Sequence, residues 1–293
     1  MKEIVVISGK GGTGKTSLTA SFAMIEGENL VVADCDVDAA NLHLLLQPDV
    51  KTRSSFISGE MAVIDPDGCT GCGLCRDVCR FDAVLEKGGL FFADPIACEG
   101  CGYCARVCPA NAIAMNQRLA GEWMVSAVRT GANLVHARLN VGAENSGKLV
   151  AKVKQEAKAI AHKEGSSIVL VDGAPGIGCP VISSLSGADF VVLVTEPSLS
   201  GWHDLQRVVS LIRGFHLKTG CIINKADIQP KITRRISAWL EKENIPLMAL
   251  LPYDQSFTRA MTNGKTVMEE GGEYLKTMIV AAWEAIKAAS TKP

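Results

Sequence analysis

Net charge is nearly absent from this chain of 293 residues: 30 Lys and Arg stand against 31 Asp and Glu, a formal charge of -1. No global field draws such a protein to nucleic acid or to anionic lipid, which argues against both as partners. Long apolar runs are missing as well, and no stretch of about 18 apolar residues is available to span a bilayer. Only four apolar residues, Ile4 to Ile7, separate the first charges from a Gly-rich turn, too few for a secretory leader. The expected compartment is therefore the reducing cytoplasm, where clustered thiols mean metal more often than disulfide. Aromatics are scarce at 5%, and with 28 Gly and a mean hydropathy of +0.19 the interior is expected to be aliphatic and tightly turned, as in α/β proteins. The five histidines, His43, His136, His162, His203 and His216, form no metal-ligand spacing. With 47% hydrophobic residues the chain is long enough for a sizeable core, which excludes a disordered or fibrous class.

Cysteine is what the sequence has in excess. Eight of the eleven fall between Cys69 and Cys108, a window of 40 residues, leaving Cys35, Cys179 and Cys221 for the remainder. On both sides of that window short β-branched runs, at 3–8, 30–34, 167–172, 190–195, 220–224 and 246–251, alternate with one-faced helical patterns at 16–24, 147–161, 202–212, 231–242 and 274–288. This alternation predicts an α/β fold, a mostly parallel sheet covered by helices on both faces. The cysteine block reads as an insertion at 61–115 that divides the sheet domain into 1–60 and 116–293. Two alternating runs around Thr130-Gly131-Ala132-Asn133 predict a β-hairpin over 123–139. The C-terminal stripe Tyr274, Leu275, Met278, Ile279, Ala282, Trp283 and Ile286 predicts a helix packed on the sheet.

The first strand runs directly into Gly9-Lys10-Gly11-Gly12-Thr13-Gly14-Lys15-Thr16-Ser17 and then into a helix, the context a phosphate-binding loop requires. Its glycines let successive N–H groups converge on phosphate oxygens, and the helix N-terminus favours anions. Lys15 is expected on the outer phosphates of ATP, and the Thr16 hydroxyl on Mg2+. Such a loop needs acidic partners at neighbouring strand ends. Asp172 closes Ile168-Val169-Leu170-Val171, and Asp34 and Asp36 close the second strand, so all three are candidates for the metal, directly or through water.

The eight clustered cysteines read Cys69-x2-Cys72-x2-Cys75-x3-Cys79 and Cys98-x2-Cys101-x2-Cys104-x3-Cys108-Pro109. This is the bacterial ferredoxin run written twice, predicting two 4Fe-4S clusters in an α+β insert. In that pattern the fourth cysteine of each run serves the other cluster. The expected sets are Cys69, Cys72, Cys75, Cys108 and Cys98, Cys101, Cys104, Cys79. Zinc sites usually pair two knuckles rather than three cysteines at successive intervals, and a disulfide framework needs an oxidising compartment. Arg80 stands where the first run would carry proline.

With Lys10 five residues before Lys15, the chain resembles the MinD/ParA-type deviant Walker A ATPases, a P-loop group related to the nitrogenase iron protein and Mrp groups. Asp34-Cys35-Asp36, Asn41-Leu42, Asp172-Gly173-Ala174-Pro175-Gly176, Asn224-Lys225-Ala226-Asp227 and Leu251-Pro252-Tyr253-Asp254 continue the likeness. With the cysteine runs, it is similar to the MinD-superfamily members that carry an inserted two-cluster ferredoxin domain. The resemblance implies an ATP-dependent homodimer, or a heterodimer with a close relative, that hydrolyses ATP to ADP with Mg2+. Lys10 would reach the partner's nucleotide, Asp36 would orient the attacking water, and Asn224, Pro252 and Asp254 would lie at the adenine. The output implied is coupling of nucleotide state to electron transfer or cluster handling with a redox or cluster-accepting partner protein. A positioning or scaffold ATPase with structural or redox-sensing clusters is the alternative. Cys179, seven residues after Asp172, resembles in spacing a subunit-bridging ligand of the nitrogenase iron protein, but the second such ligand has no counterpart. It is expected to be a partly buried structural thiol, and Cys35 and Cys221 core residues.

Overall fold

The computed structural model describes residues 1–143 and 145–291. They form two compact units, one built from 1–53, 123–137 and 146 onward, the other from Ser54–Glu122 and Arg138–Asn145. In chain order the elements are β1 (Lys2–Ser8), α1 (Lys15–Glu26), β2 (Leu30–Cys35), α2 (Leu42–Leu46) and the long β3 (Asp49–Ile64), along which the chain leaves the first unit. The second unit holds α3 (Leu74–Asp77), β4 (Val84–Lys87), β5 (Leu90–Ala93), α4 (Tyr103–Val107) and the first part of β6 (Ile113–Ala127). There follow β7 (Asn133–Leu139), α5 (Ser146–Glu164), β8 (Ile168–Pro175), α6 (Cys179–Leu185), β9 (Phe190–Thr195) and α7 (Leu199–Arg213). The chain finishes with β10 (Thr219–Ile223), α8 (Pro230–Lys242), β11 (Leu247–Leu250), α9 (Ser256–Thr262), α10 (Val267–Glu270) and α11 (Glu273–Thr291).

In the first unit the strand order is β11-β10-β9-β1-β8-β2-β7-β6. The pairings from β11 through to β7 are parallel, with Ile4 opposite Leu170 on one side and Phe190 on the other. Strands β1, β2 and β9 are buried along almost their whole length because helices cover both faces, which is why they read as unbroken apolar runs. The predicted hairpin is the β6–β7 connection, closed by Val128 N donating to Ala132 O at 3.0 Å and Gly131 N to Val128 O at 2.9 Å.

The core gathers Ile4, Leu18, Phe22, Leu170, Val192 and Ile222 with Leu275, Ile279, Trp283 and Ile286 of α11. Most of the predicted C-terminal stripe is therefore packed inward, while Tyr274 is 74% exposed. It falls one position off the buried face that Leu275 begins. Trp283 stacks on Phe22 with ring centroids 4.9 Å apart, and its indole N–H donates to Glu26 Oε2 at 2.8 Å. The buried aromatic thus finds a polar partner at the end of α1.

The second unit is smaller. Its β3 and β6 segments run as neighbours, and Asp65 N donates to Ala112 O at 2.8 Å just beyond their ends. Strands β4 and β5 make an antiparallel hairpin with Lys87 opposite Leu90. The core consists of two small clusters. Ile64, Cys75, Val84 and Phe91 form one; Ala62, Ala83 and Cys98 form the other; Cys79, Cys104 and Ile113 pack against both. The unit extends past 61–115 at both ends because β3 and β6 continue outward from the cysteine loops. The front half of β3, rich in polar residues and exposed, carries no apolar alternation by which the sequence would mark it as a strand.

Burial alone would raise the Glu26 carboxyl, but hydrogen bonds from Trp283 and Lys287 outweigh it and hold Glu26 below its usual range. The stability this contributes is present above the unfolded Glu value of about 4.3 and is lost as pH falls through the lower folded value. Glu26→Gln is expected to cost about 1 kcal/mol at pH 7, below the usual worth of a hydrogen bond to a charged group because the site is partly solvated. The gap to the parent should shrink as pH falls below about 4.3; urea midpoints measured from about pH 7 to below about pH 4 check it.

Candidate functional site

The loop between β1 and α1 is held by its carbonyl groups. Lys10 O accepts from Ser8 Oγ at 2.8 Å, Gly12 O from Lys225 Nζ at 2.9 Å, Thr13 O from Asn224 Nδ2 at 2.9 Å and Gly14 O from Leu18 N at 3.0 Å. Bracing of this kind turns the opposite, N–H side of the loop and the start of the 12-residue α1 toward an anion. Two glycines are obligatory. A Cβ at Gly9 would stand 2.6 Å from the backbone of Asp204 in α7, and Gly14, at φ 92, would drive one into the Asn224 amide.

Behind the loop three charges meet. Lys15, only 6% exposed, has its ammonium 2.9 Å from Asp172 Oδ1 and 3.9 Å from Asp36 Oδ2. Asp172 also accepts from Thr16 Oγ1 at 2.8 Å and from Thr19 Oγ1 at 2.9 Å. Asp34 is the register neighbour of Asp172 across β2 and β8, so both side chains leave the sheet on one face. Its Oδ1 accepts from Asp36 N at 3.1 Å, while its buried Oδ2 has no hydrogen-bond partner. Burial, then the charge of Asp172, push the Asp34 carboxyl up to about 8 against the pull of Lys15. Asp36 is raised as well, by burial first, with Lys15 opposing and Asp172 adding.

An orphaned buried carboxylate oxygen, a second carboxylate and the Thr16 hydroxyl beside one lysine form an all-oxygen set that suits a hard divalent cation next to phosphate. The donor chemistry suits Mg2+, with Thr16, Asp34, Asp36 and Asp172 as the groups that would hold it, but the three carboxylates are not gathered closely enough to ligate one ion together, so the metal would be reached partly through water.

Lys10 lies apart from them. Its ammonium is 2.6 Å from Glu196 Oε1 and donates to Ser198 Oγ at 3.2 Å and Ser200 Oγ at 3.0 Å. The other Glu196 oxygen holds Lys225 at 2.7 Å. Sequence reasoning missed Glu196, Ser198, Ser200 and Thr19, and assigned Lys225 no task. The available signal was position: Glu196 follows the C-terminal end of β9, the strand beside β1, where ligands collect in parallel sheets. Both ends of the Asn224 amide are engaged, one on Thr13 O and the other accepting from Lys225 N at 2.9 Å, so Asn224 here braces the loop. The loops carrying Asn224 and Pro252 are joined by Ala226 N donating to Leu251 O at 2.8 Å and Tyr253 N to Asp227 Oδ1 at 2.6 Å. Asp254 accepts from Ser256 N at 2.7 Å.

In the second unit the eight clustered cysteines are all free thiols and line two clefts. Cys69, Cys72, Cys75 and Cys108 share one with Ile64 and Phe91. Cys79, Cys98, Cys101 and Cys104 share the other with Phe81, Tyr103 and Met115. Gly73 and Gly102, at φ 78 and 70, start α3 and α4 beside them. Cys72 and Cys101 are exposed and Cys75 and Cys98 buried. Burial pushes the Cys75 and Cys104 thiols up, and Ala83 N donates to Cys79 Sγ at 3.4 Å. Among the described residues no three His, Cys, Asp or Glu side chains are gathered closely enough for a single metal ion, the arrangement a zinc knuckle needs. Cys35 and Cys221 are fully buried, as expected. Cys179, the first residue of α6, is exposed and not partly buried. Among the described residues no helix is long and apolar enough to cross a membrane.

An uncharacterized protein of Methanocaldococcus jannaschii is 37% identical over 225 residues, covering 76% of this chain and 78% of that one. A septum site-determining protein MinD of Synechocystis is 24% identical, covering 91% and 82%. Among solved structures, MinD from Pyrococcus horikoshii, complexed with Mg-ADP, superposes with a TM-score of 0.59 at 18% identity over 99% of this chain and 97% of that one. A Cyanothece McdA(D38A)-ATP complex gives 0.60 at 16%, over 98% and 96%. These likenesses show an α/β P-loop NTPase fold. The profile of the CobQ/CobB/MinD/ParA nucleotide binding domain matches residues 4–267, and the chain belongs to that family.

Proposed function

We propose that this chain is a cytoplasmic, Mg2+-dependent ATPase switch of the MinD/ParA kind, in which two copies, or one copy and a close relative, pair over ATP. Its second unit carries two 4Fe-4S clusters as structure or as a redox sensor. The observation that supports the reading most directly is the meeting of Lys15, Thr16, Asp36 and Asp172 at the strand ends behind the loop. The loop N–H groups and the α1 N-terminus hold the phosphates, and Lys15 neutralises the outer ones. Bound there, Mg2+ supplies charge neutralisation on the phosphoryl oxygens. Asp36, less buried than Asp34, orients the attacking water. Lys10 gives a second ammonium to the copy opposite, where charge develops on the transferred group. Asn224, Pro252 and Asp254 border the adenine.

A second reading, ATP-gated electron transfer or cluster handling with a redox or cluster-accepting protein, draws support from the division of the cysteines. Each cleft is lined by three thiols of one run and the fourth of the other, as a two-cluster ferredoxin requires. The four thiolates of a cubane bind four different irons, which is compatible with thiols too dispersed for one ion. Bound, the clusters supply one-electron chemistry, and the Ala83 N–H beside Cys79 is of the kind that tunes it.

Lys15→Ala is expected to abolish ATP binding in calorimetry. Asp36→Ala should retain ATP and lose turnover by about 100-fold, the ordinary worth of a positioned acid–base group; turnover equal to the parent would remove Asp36 from the mechanism. Anaerobically prepared Cys72→Ala is expected to hold about half the parent's iron and acid-labile sulfide, since one cluster of two is lost. Unchanged iron would refute the ligand sets. An EPR redox titration with and without MgATP tests the coupling: a shift of about 59 mV, roughly 1.4 kcal/mol, favours gated transfer or redox-sensing clusters, and none favours structural clusters or cluster handling.

A further inference from the structure

Lys10 is assigned to a second copy's phosphates, yet its ammonium is engaged within its own chain. Three acceptors from the β9–α7 connection and the first turn of α7 surround it: Glu196 Oε1 at 2.6 Å, Ser200 Oγ at 3.0 Å and Ser198 Oγ at 3.2 Å. The turn is fixed from both sides. Ser198 caps α7 by accepting from Gly201 N at 3.0 Å, and the α7 backbone at Asp204 packs against Gly9 with no room for a Cβ. The same Glu196 carboxylate grips Lys225 at 2.7 Å, and Lys225 donates to Gly12 O at 2.9 Å, so the contacts close a circuit back to the phosphate loop. The side chains of Lys10, Glu196 and Lys225 are 27%, 18% and 28% exposed, so the pairs are partly desolvated. Burial would raise the Glu196 carboxyl, but its bonds to Lys10 and Lys225 outweigh that and hold it low, hence ionised.

We propose that Glu196 is a positioning residue that retains Lys10 in its own protomer and so sets the selectivity of pairing for ATP over ADP. The inference rests on the reading that Lys10 acts across a pair. To cross, Lys10 must exchange a carboxylate and two hydroxyls for phosphate oxygens of the other copy. A triphosphate, carrying one more charged group than a diphosphate, competes for the ammonium more strongly. A carboxylate of fixed position is therefore a threshold that ATP passes and ADP does not, and its strength is the difference in affinity that Lys10 must gain on transfer.

The test is sedimentation velocity of the full chain over a range of protein concentrations, with a non-hydrolysable ATP analogue or with ADP. Glu196→Gln keeps the side-chain shape and removes the charge. It is expected to pair with the analogue at about tenfold lower concentration than the parent, the equivalent of roughly 1.4 kcal/mol, and to begin pairing with ADP. Ser200→Ala should move the midpoint the same way by less, and serves if Glu196→Gln fails to fold. Lys10 should also be acylated faster by an amine-reactive reagent in Glu196→Gln, read by mass spectrometry. A merely structural Glu196 would loosen Lys225 and Gly12 and weaken pairing, the opposite sign. Equal or weaker pairing of Glu196→Gln beside a parent that pairs overturns the retention while the reading of Lys10 stands. If neither pairs and Lys10→Ala turns over ATP as the parent does, the reading of Lys10 fails and the proposal falls with it.

Discussion

Carboxylates buried side by side need a counter-charge or a proton, and the first unit is organised around that constraint. Asp34 and Asp172 are register neighbours on β2 and β8, which brings two acids to one face of the sheet. Lys15 enters from the first turn of α1 to offset them, and the Thr16 and Thr19 hydroxyls supply the hydrogen bonds the ammonium cannot. One ammonium does not satisfy the set: Asp34 keeps an unpartnered buried oxygen. A site short of positive charge and rich in oxygen donors has the chemistry that a hard divalent cation takes, and the loop above it has the form that phosphates take.

The loop's conformation is a property of the whole unit rather than of its glycines. Its carbonyls are tied by Asn224 and Lys225 after β10 and by Ser8 at the end of β1, while α7 limits Gly9 from outside. Glu196 after β9 then joins Lys225 to Lys10. Elements far apart in the chain thus converge on the loop between β1 and α1, and displacement of any of them would be felt at the phosphate position. Such a network has the form a switch needs, because a change of ligand at one end is opposed by specific contacts at the other.

The second unit solves a different problem. With clusters of only a few apolar residues, it has little hydrophobic core to hold its two loop-rich halves, and the cysteines themselves fill much of the interior. Their division between two clefts places each run's fourth cysteine with the other run's first three. Filling of both clefts by inorganic clusters would bind the halves to each other, since each cluster would be held by both runs.

The buried strands, the phosphate loop and its lysine, the two acidic strand ends and the paired cysteine runs were legible in the sequence by itself, because each is a local pattern of period or spacing. The exposed half of β3 was not, since its residues lack apolar alternation, nor was the outward Tyr274, one position from a buried stripe. Asn224 was legible as a motif but not as a brace of Thr13, a partner 211 residues away. Only the tertiary structure decided which groups meet. It set Asp34 against Asp172 through strand register, and it turned Lys10 toward the Glu196 turn, whose Ser198 lies 188 residues along the chain. Contacts between distant residues follow from how strands order in a sheet, and no local pattern records that order.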